Sequence, residues 1–286
     1  MLHNDEIRDV SDLTLSAGQT GLLNGWGVFS TIRVYDGVPF AWERHVARMR
    51  HDAQRMRVPF PSDAGALEEQ LHRLIDANQA LDATLRVVVV RNRGGLFQGH
   101  GVTRDYDVIA FTSNVHDWGA SVRLGVVPHG RHAANEFAGV KYLSWSQNLT
   151  WYERAHEQGL DEVILLNERG EVAECTSANI FIAHGDHVYT PPLTAGCLPG
   201  VTRAVLLEDV RVPGVRVSEK TFLLKDLEAA DEVFITSTTR ELLPVVSVEG
   251  LRVQAGHSVC SRLVAGLKDY VRAYVAPRRR GVTVKV

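Results

Sequence analysis

Cysteine is scarce in this 286-residue chain, with only Cys175, Cys197 and Cys260. The number is odd and no two stand as CxxC, which supports neither a disulfide framework nor a cysteine zinc site. Long apolar runs are missing. None approaches the roughly 18 residues a membrane span needs, so no membrane association is expected. The opening "MLHNDEIRDVSD" lacks a basic start followed by an apolar stretch, so no secretory signal is expected either. Excess charge of one sign is absent too: 31 basic against 34 acidic residues leave a net charge of -3. That removes the electrostatic case for nucleic acid as a partner. The ending "APRRRGVTVKV" is locally basic and reads as a solvated tail. Among the 12 histidines, "HGRH" at His129 to His132 is the close pair considered for a metal. It has no HExxH companion, and no metal centre is expected. A cytoplasmic location follows by default.

What is present is an ordinary globular mixture, 45% hydrophobic and 23% charged, long enough for a sizeable core and two domains. "GVFSTIRVYDGVPFAW" has two β-rich runs around Tyr35-Asp36-Gly37, a hairpin signature. "WERHVARMRHDAQRM" puts Val46, Met49, Ala53 and Met56 on one helical face, and Leu67, Leu71, Leu74 and Ile75 do the same in the next segment. "TLRVVVVRN" and "YDVIAFTS" read as buried strands. The stretch 114–137 is weakest in helical period and holds one strand candidate, Val122 to Val127. The boundary is placed at its start: residues 1–114 as a smaller N-terminal domain, 115–121 as a linker, 122–286 as a larger C-terminal domain containing Lys141. Further on, "DEVILLNERGEVAE" and "NIFIAHGDHVYT" are hairpin candidates, "GVTRAVLLEDV" is a helix from Gly200, "DEVFITSTT" is a strand, and "SVCSRLVAGLKDYVRAYV" is a closing helix. Strands and helices mix without regular alternation, so the fold class is α+β.

Four features carry chemistry. Lys141, in "EFAGVKYLSWSQNL", follows a small, flexible Ala-Gly-Val and precedes aromatic and hydroxyl residues. Burying an ammonium is expensive, so it is either an ordinary surface charge or an amine held in a pocket for reaction. "LPGVTRAVLLE" starts a helix at a glycine, which suits an anion at the helix N-terminus or is a plain helix start. "ITSTTREL" places hydroxyls at Thr236 to Thr239 at a strand end, to donate to phosphate or to solvate a loop. Glu174, in "EVAECTSANIF", lies between apolar strand residues and a small polar run. If buried, it requires a cationic partner.

These features occur together in one family, which the chain resembles along nearly its whole length: the class IV, fold-type IV aminotransferases that use pyridoxal 5′-phosphate (PLP). The blocks are "GWGVFSTIRVYDG", "WERHVARM", "AGVKYLS", "GLDEVILLNERGEVAECTSANIF", "YTPPLTAGCLPGVTR" and "VFITSTTRELLPV". Branched-chain aminotransferases, D-amino acid aminotransferases and aminodeoxychorismate lyases share the pattern. The resemblance implies a two-domain, D-amino acid aminotransferase-like fold and a homodimer. It implies that Lys141 forms the Schiff base with PLP and acts as general base. It further implies that Glu174 faces the pyridine nitrogen and that Arg48 binds the phosphate. Gly200, the N–H groups of Val201 and Thr202, and the Thr238 side chain complete the phosphate site, with Leu198 against the ring face.

The blocks divide between members of the family. "VFITSTTRELLPV" is similar to the amino-acid transaminases, D-specific ones especially, whereas "VFSTIRV", "AGVKYLS" and "ECTSANIF" are similar to the lyases. Asn24 stands where many family transaminases have a tyrosine, and Ser30 replaces a glutamate of the "GVFE" type of motif. The candidates for the substrate carboxylate are Arg33, Arg91 and Arg93, with His100 nearby, and Thr239 is a further substrate candidate; arginine's planar fork suits a carboxylate. The expectation is a transaminase moving an amino group between an amino acid, of branched-chain type or D configuration, and a 2-oxo acid, with aminodeoxychorismate lyase releasing pyruvate as the alternative and a non-catalytic binding protein behind it.

Overall fold

The computed structural model describes residues 1–16, 18–96, 99 and 102–280. The described residues form two compact units, one within 1–116 with 141–145 and 271–280, the other 117–140 with 146–270.

The first unit is built on a six-stranded sheet in the order β2-β1-β6-β5-β3-β4. Its strands are β1 (Leu2–His3), β2 (Glu6–Ile7), β3 (Gly27–Tyr35), β4 (Val38–Pro39), β5 (Ala83–Arg91) and β6 (Tyr106–Ser113). Asp36 and Gly37, with φ of 49° and 76°, make the two-residue turn from β3 to β4. Both are left-handed, the geometry that matches strand twist in a tight hairpin. Alternation along the strands sends Val28, Ile32 and Val34, with Leu85, Val87, Val89, Val108 and Ala110, to one face. There they meet the apolar stripes of α2 (Trp42–Arg55) and α3 (Ala64–Ala77), among them Met49, Ala53, Leu71 and Ile75. The opposite face carries Phe29, Val88 and Val90, packed with Ile109, Leu143 and Trp145.

The second unit holds an eight-stranded sheet, β12-β11-β10-β13-β14-β7-β8-β9. The strands are β7 (Val122–Val127), β8 (Glu162–Leu166), β9 (Val172–Cys175), β10 (Asn179–His184), β11 (His187–Thr190), β12 (Arg216–Glu219), β13 (Glu232–Ser237) and β14 (Glu241–Val248). Ile180, Ile182, Val233, Ile235 and Val245 line its main core. The alternate residues Phe181 and Phe234 stack on the other face, 5.2 Å between centroids. Helices α4 (Ser146–Glu157), α5 (Val201–Glu208) and α6 (Leu224–Glu228) belong to this unit, as does α7 (Ser258–Val275) up to residue 270.

Three features depart from the sequence reading. Residues 141–145, assigned there to the second domain, group with the first unit. The cause is backbone pairing: Phe29 N–H donates to Lys141 O at 3.1 Å and Leu143 N–H to Gly27 O at 2.9 Å, which ties the segment to β3. Helix α4 was not anticipated, because only Asn148 and Ala155 are buried along it and its apolar period is faint. Strand β14 was not anticipated either. Pro244 weakens its strand signal, and the register to β7 shifts just after it, between Val245 and Ser247.

Candidate active site

In the first unit, the backbone tie to β3 delivers the Lys141 side chain to the sheet face opposite the helices. Its Nζ lies 4.4 Å from the Phe29 ring centroid and 4.6 Å from that of Trp145. The two rings stand edge to face at 89°. Cations are favoured over aromatic faces, so the amine has a defined seat. Beside it, Asp52 of α2 accepts the Lys141 N–H at 3.1 Å. Burial pushes the Asp52 pKa up, against that hydrogen bond and the Arg48 cation. The Arg48 residue is partly exposed, yet its guanidinium is enclosed: burial pushes it down to about 10, with Asp52 acting the other way. Arg48 Nη2 donates to Ser30 Oγ at 2.8 Å, and Ser30 Oγ lies 2.7 Å from His45 Nδ1. Burial, and then the charges of Arg48 and Lys141, hold His45 well below its ordinary pKa. Arg48 and Asp52 thus stand together by the Lys141 backbone, with the basic side chains of Lys141 and Arg86 on the Phe29 ring.

In the second unit, Glu174 on β9 is 6% exposed, and both its oxygens are held. Arg131 Nε donates to Oε1 at 2.7 Å and the Leu198 N–H to Oε2 at 3.0 Å. Arg131 is itself steadied by Asn148 of α4, whose Oδ1 accepts from Nη1 at 3.4 Å. Next to this carboxylate lies the start of α5. Gly200 caps the helix at φ −63°, a conformation open to any residue. What excludes a side chain is space: a Cβ on Gly200 would stand 2.0 Å from Asn179 Oδ1. Helix geometry leaves the first N–H groups, those of Val201 and Thr202, without an acceptor one turn back. Thr236 pairs with Asn179 across the strands and so shares its face. Its buried hydroxyl has no hydrogen-bond partner among the described residues. Thr238 and Thr239 follow, half-buried, in the turn to β14. Burial pushes the Cys197 and Cys260 thiols up to about 12 and Cys175 also well up, which removes them as nucleophiles.

Known proteins resemble this chain along most of its length. The sequence profile described as amino-transferase class IV matches residues 27–248. The chain belongs to the class IV aminotransferase family. It is 30% identical over 260 residues to a D-alanine aminotransferase of Bacillus licheniformis, covering 90% of each chain. To a branched-chain-amino-acid aminotransferase of Salmonella typhimurium it is 30% identical over 273 residues, 88% of this chain and 86% of that one. To an aminodeoxychorismate lyase of Bacillus subtilis it is 27% identical over 251 residues, 86% and 85%. A solved structure of a hypothetical aminotransferase from Mycobacterium tuberculosis, in a PLP-bound form, superposes with a TM-score of 0.82 at 24% identity, covering 96% and 97%. The fold is that of the fold-type IV enzymes. Class IV aminotransferases are PLP-dependent enzymes whose substrates are amino and oxo acids. No described helix is long and apolar enough to cross a membrane.

The structure redistributes the arginines expected to meet a class IV substrate. Arg33 is turned into its own sheet, donating to Val34 O at 2.6 Å, to Ala83 O at 3.0 Å and to Asp82. Arg91 lies on the Trp26 ring at 4.2 Å and donates to Arg93 O at 2.7 Å and to Arg57 O. Arg93 makes an exposed pair with Asp105 at 3.3 Å. All three guanidiniums are thus engaged structurally. His100 lies outside the described residues. Asn24, at the end of α1 (Thr20–Asn24), folds back on its own helix, Nδ2 to Thr20 O at 2.8 Å.

The residue that sequence reasoning missed is Arg86, one of the alternating positions of β5. Its Cζ is 4.1 Å from the centroid of the same Phe29 ring that seats Lys141. Burial lowers its pKa, and no described carboxylate or carbonyl takes a hydrogen bond from it. Arg131 was missed as well, although the requirement that a buried Glu174 have a cationic partner was the signal for it.

Proposed function

We propose that this enzyme moves an amino group between an amino acid, of branched-chain type or D configuration, and a 2-oxo acid, using PLP held by the residues just described. The observation that carries the reading is the Lys141 amine seated on Phe29 and Trp145 beside the enclosed Arg48 cation. The residues present fit the cofactor: the Thr236 hydroxyl, without a partner among the described residues, suits a phosphate, and Glu174 suits a ring N–H. When bound, PLP supplies a carbonyl that takes up amines and a ring that withdraws electrons from the substrate Cα.

The chain's own residues do the remainder. Lys141 Nζ would hold the cofactor covalently and, once displaced by the incoming amine, would be the base that takes the proton from the substrate Cα. Glu174, clamped by Arg131 and the Leu198 N–H, would accept a hydrogen bond from the ring nitrogen and favour its protonated form. Arg48, the N–H groups of Val201 and Thr202, and the Thr238 hydroxyl bind the phosphate, with Gly200 giving the backbone its approach. Leu198 would pack against the ring. Arg86 takes the substrate carboxylate, with Thr239 as a further contact. A cytoplasmic homodimer is part of the proposal.

The test is a panel of L- and D-amino acids with 2-oxoglutarate, followed at the cofactor absorption bands, with aminodeoxychorismate assayed separately. Transfer from at least one amino acid supports the reading. Pyruvate release from aminodeoxychorismate alone would replace it with the lyase. Borohydride reduction should label Lys141, and Lys141→Ala should stop multiple turnover with the fold retained. A label on another lysine, or turnover by that variant, refutes the assignment.

A further inference from the structure

One enclosed ion pair lies outside every role assigned so far: Glu162, fully buried, and Arg240, 6% exposed, with Nη2 3.5 Å from Oε2. Such a pair is a poor source of stability, because removing two charges from water offsets their attraction. What it does accomplish is connection. Glu162 Oε1 accepts the N–H groups of Val163 and Thr176, each at 3.1 Å, and the Thr176 hydroxyl. Its Oε2 accepts the Ser177 hydroxyl at 2.7 Å. Thr176 and Ser177 stand two and three residues after Glu174, just past the end of β9. From the other side, Arg240 Nη1 donates to Ser177 Oγ at 2.9 Å, and the Arg240 N–H donates to Ser237 Oγ at 3.1 Å. The guanidinium lies flat on the Trp118 ring at 3.8 Å. Arg240 is also the last residue of the turn that carries Thr238 and Thr239.

We propose that Arg240, seated on Glu162 and Trp118, is a positioning residue that holds the turn 237–240 so that the Thr238 hydroxyl meets the cofactor phosphate. The proposal rests on the phosphate site described under the proposed function. The same pair fixes the segment after Glu174, so one buried charge couples the two parts of the second unit assigned to the cofactor. Arginine suits the task because its planar group stacks on an indole and forks to Ser177 and Glu162 at once; a lysine ammonium cannot do both.

The experiment compares the full-length chain, freed of cofactor, as wild type, Arg240→Met, Arg240→Lys, Thr238→Val and the Arg240→Met/Thr238→Val double variant. Equilibrium affinities for PLP and for pyridoxal, which lacks the phosphate, are measured beside melting curves. Arg240→Met should weaken PLP binding about tenfold or more, the size of one lost hydrogen bond to a charged group, and leave pyridoxal nearly unchanged. Arg240→Lys should fall between. The double variant should lose little more than either single one, since both act on the same hydroxyl. An unchanged PLP-to-pyridoxal ratio in Arg240→Met overturns the proposal, as does additive loss in the double variant. If the methionine variant does not fold, the same ratio in Arg240→Lys decides. A wild type without preference for PLP over pyridoxal would instead refute the phosphate site itself.

Discussion

Replacing Arg86 by glutamine tests the carboxylate assignment most directly. The guanidinium has no described acceptor, so its removal breaks no ion pair or hydrogen bond among the described residues. Glutamine keeps much of the side-chain volume on β5 and loses the charge and the fork. A hydrogen bond between charged groups contributes about 1.5–3 kcal/mol. Arg86 is only partly buried, and counting its fork as roughly 2–3 kcal/mol in total allows for screening. That converts to a fall of about 30- to 150-fold in kcat/KM for an amino acid donor. The discriminating assay is single turnover at the cofactor bands with two donors, an amino acid and an amine of similar side chain without a carboxylate. The amine should react equally with wild type and Arg86→Gln. Equal losses for both donors would mean that Arg86 acts by packing on Phe29, and no loss for either would mean that another group holds the carboxylate. Arg91→Gln, whose guanidinium is tied to Arg57 and Arg93, should leave both donors within about twofold.

His45 gives a pH signature. Its folded pKa is depressed, by burial first and then by Arg48 and Lys141, so below about pH 6.5 the unfolded chain takes up a proton that the folded one does not. Stability should therefore fall as pH drops from 6.5, with a slope approaching 1.4 kcal/mol per pH unit from this group, and His45→Asn should remove that part of the slope in denaturant titrations. An identical pH dependence in the variant would show that His45 is protonated in the fold. Gly200→Ala should cost about 1–3 kcal/mol by overpacking, because its Cβ would meet an Asn179 Oδ1 whose amide is held to Leu198 O at 2.9 Å. Melting curves and PLP titration check it, and pairing with Asn179→Ala should recover the stability; wild-type behaviour of the single variant would refute the tight approach.

Much of the fold was legible because its signals are local. The β3–β4 hairpin was announced by Asp36-Gly37, and α2 and α3 by stripes that the core does bury. Glu174 was legible as a carboxylate in need of a cation. Its partner Arg131 was not, since it stands 43 positions away, inside a His-rich stretch that drew attention for a different chemistry. Arg86 was concealed by regularity: it is one of the alternating positions of a strand, while Arg91 and Arg93 at the strand end looked more available. The faint stripe of α4 hid the helix that carries Asn148, and Pro244 hid the strand that follows the hydroxyl turn.

The order of residues along this chain determined most of its secondary elements and its family blocks, because periodicity and motif spacing are properties of neighbours in sequence. Tertiary structure alone decided which charges are matched: Arg131 with Glu174, Arg240 with Glu162, and Arg86 with no described acceptor. The reason is that a charge must find its counterpart only where folding has removed water, and which positions lose their water depends on segments far apart in the chain.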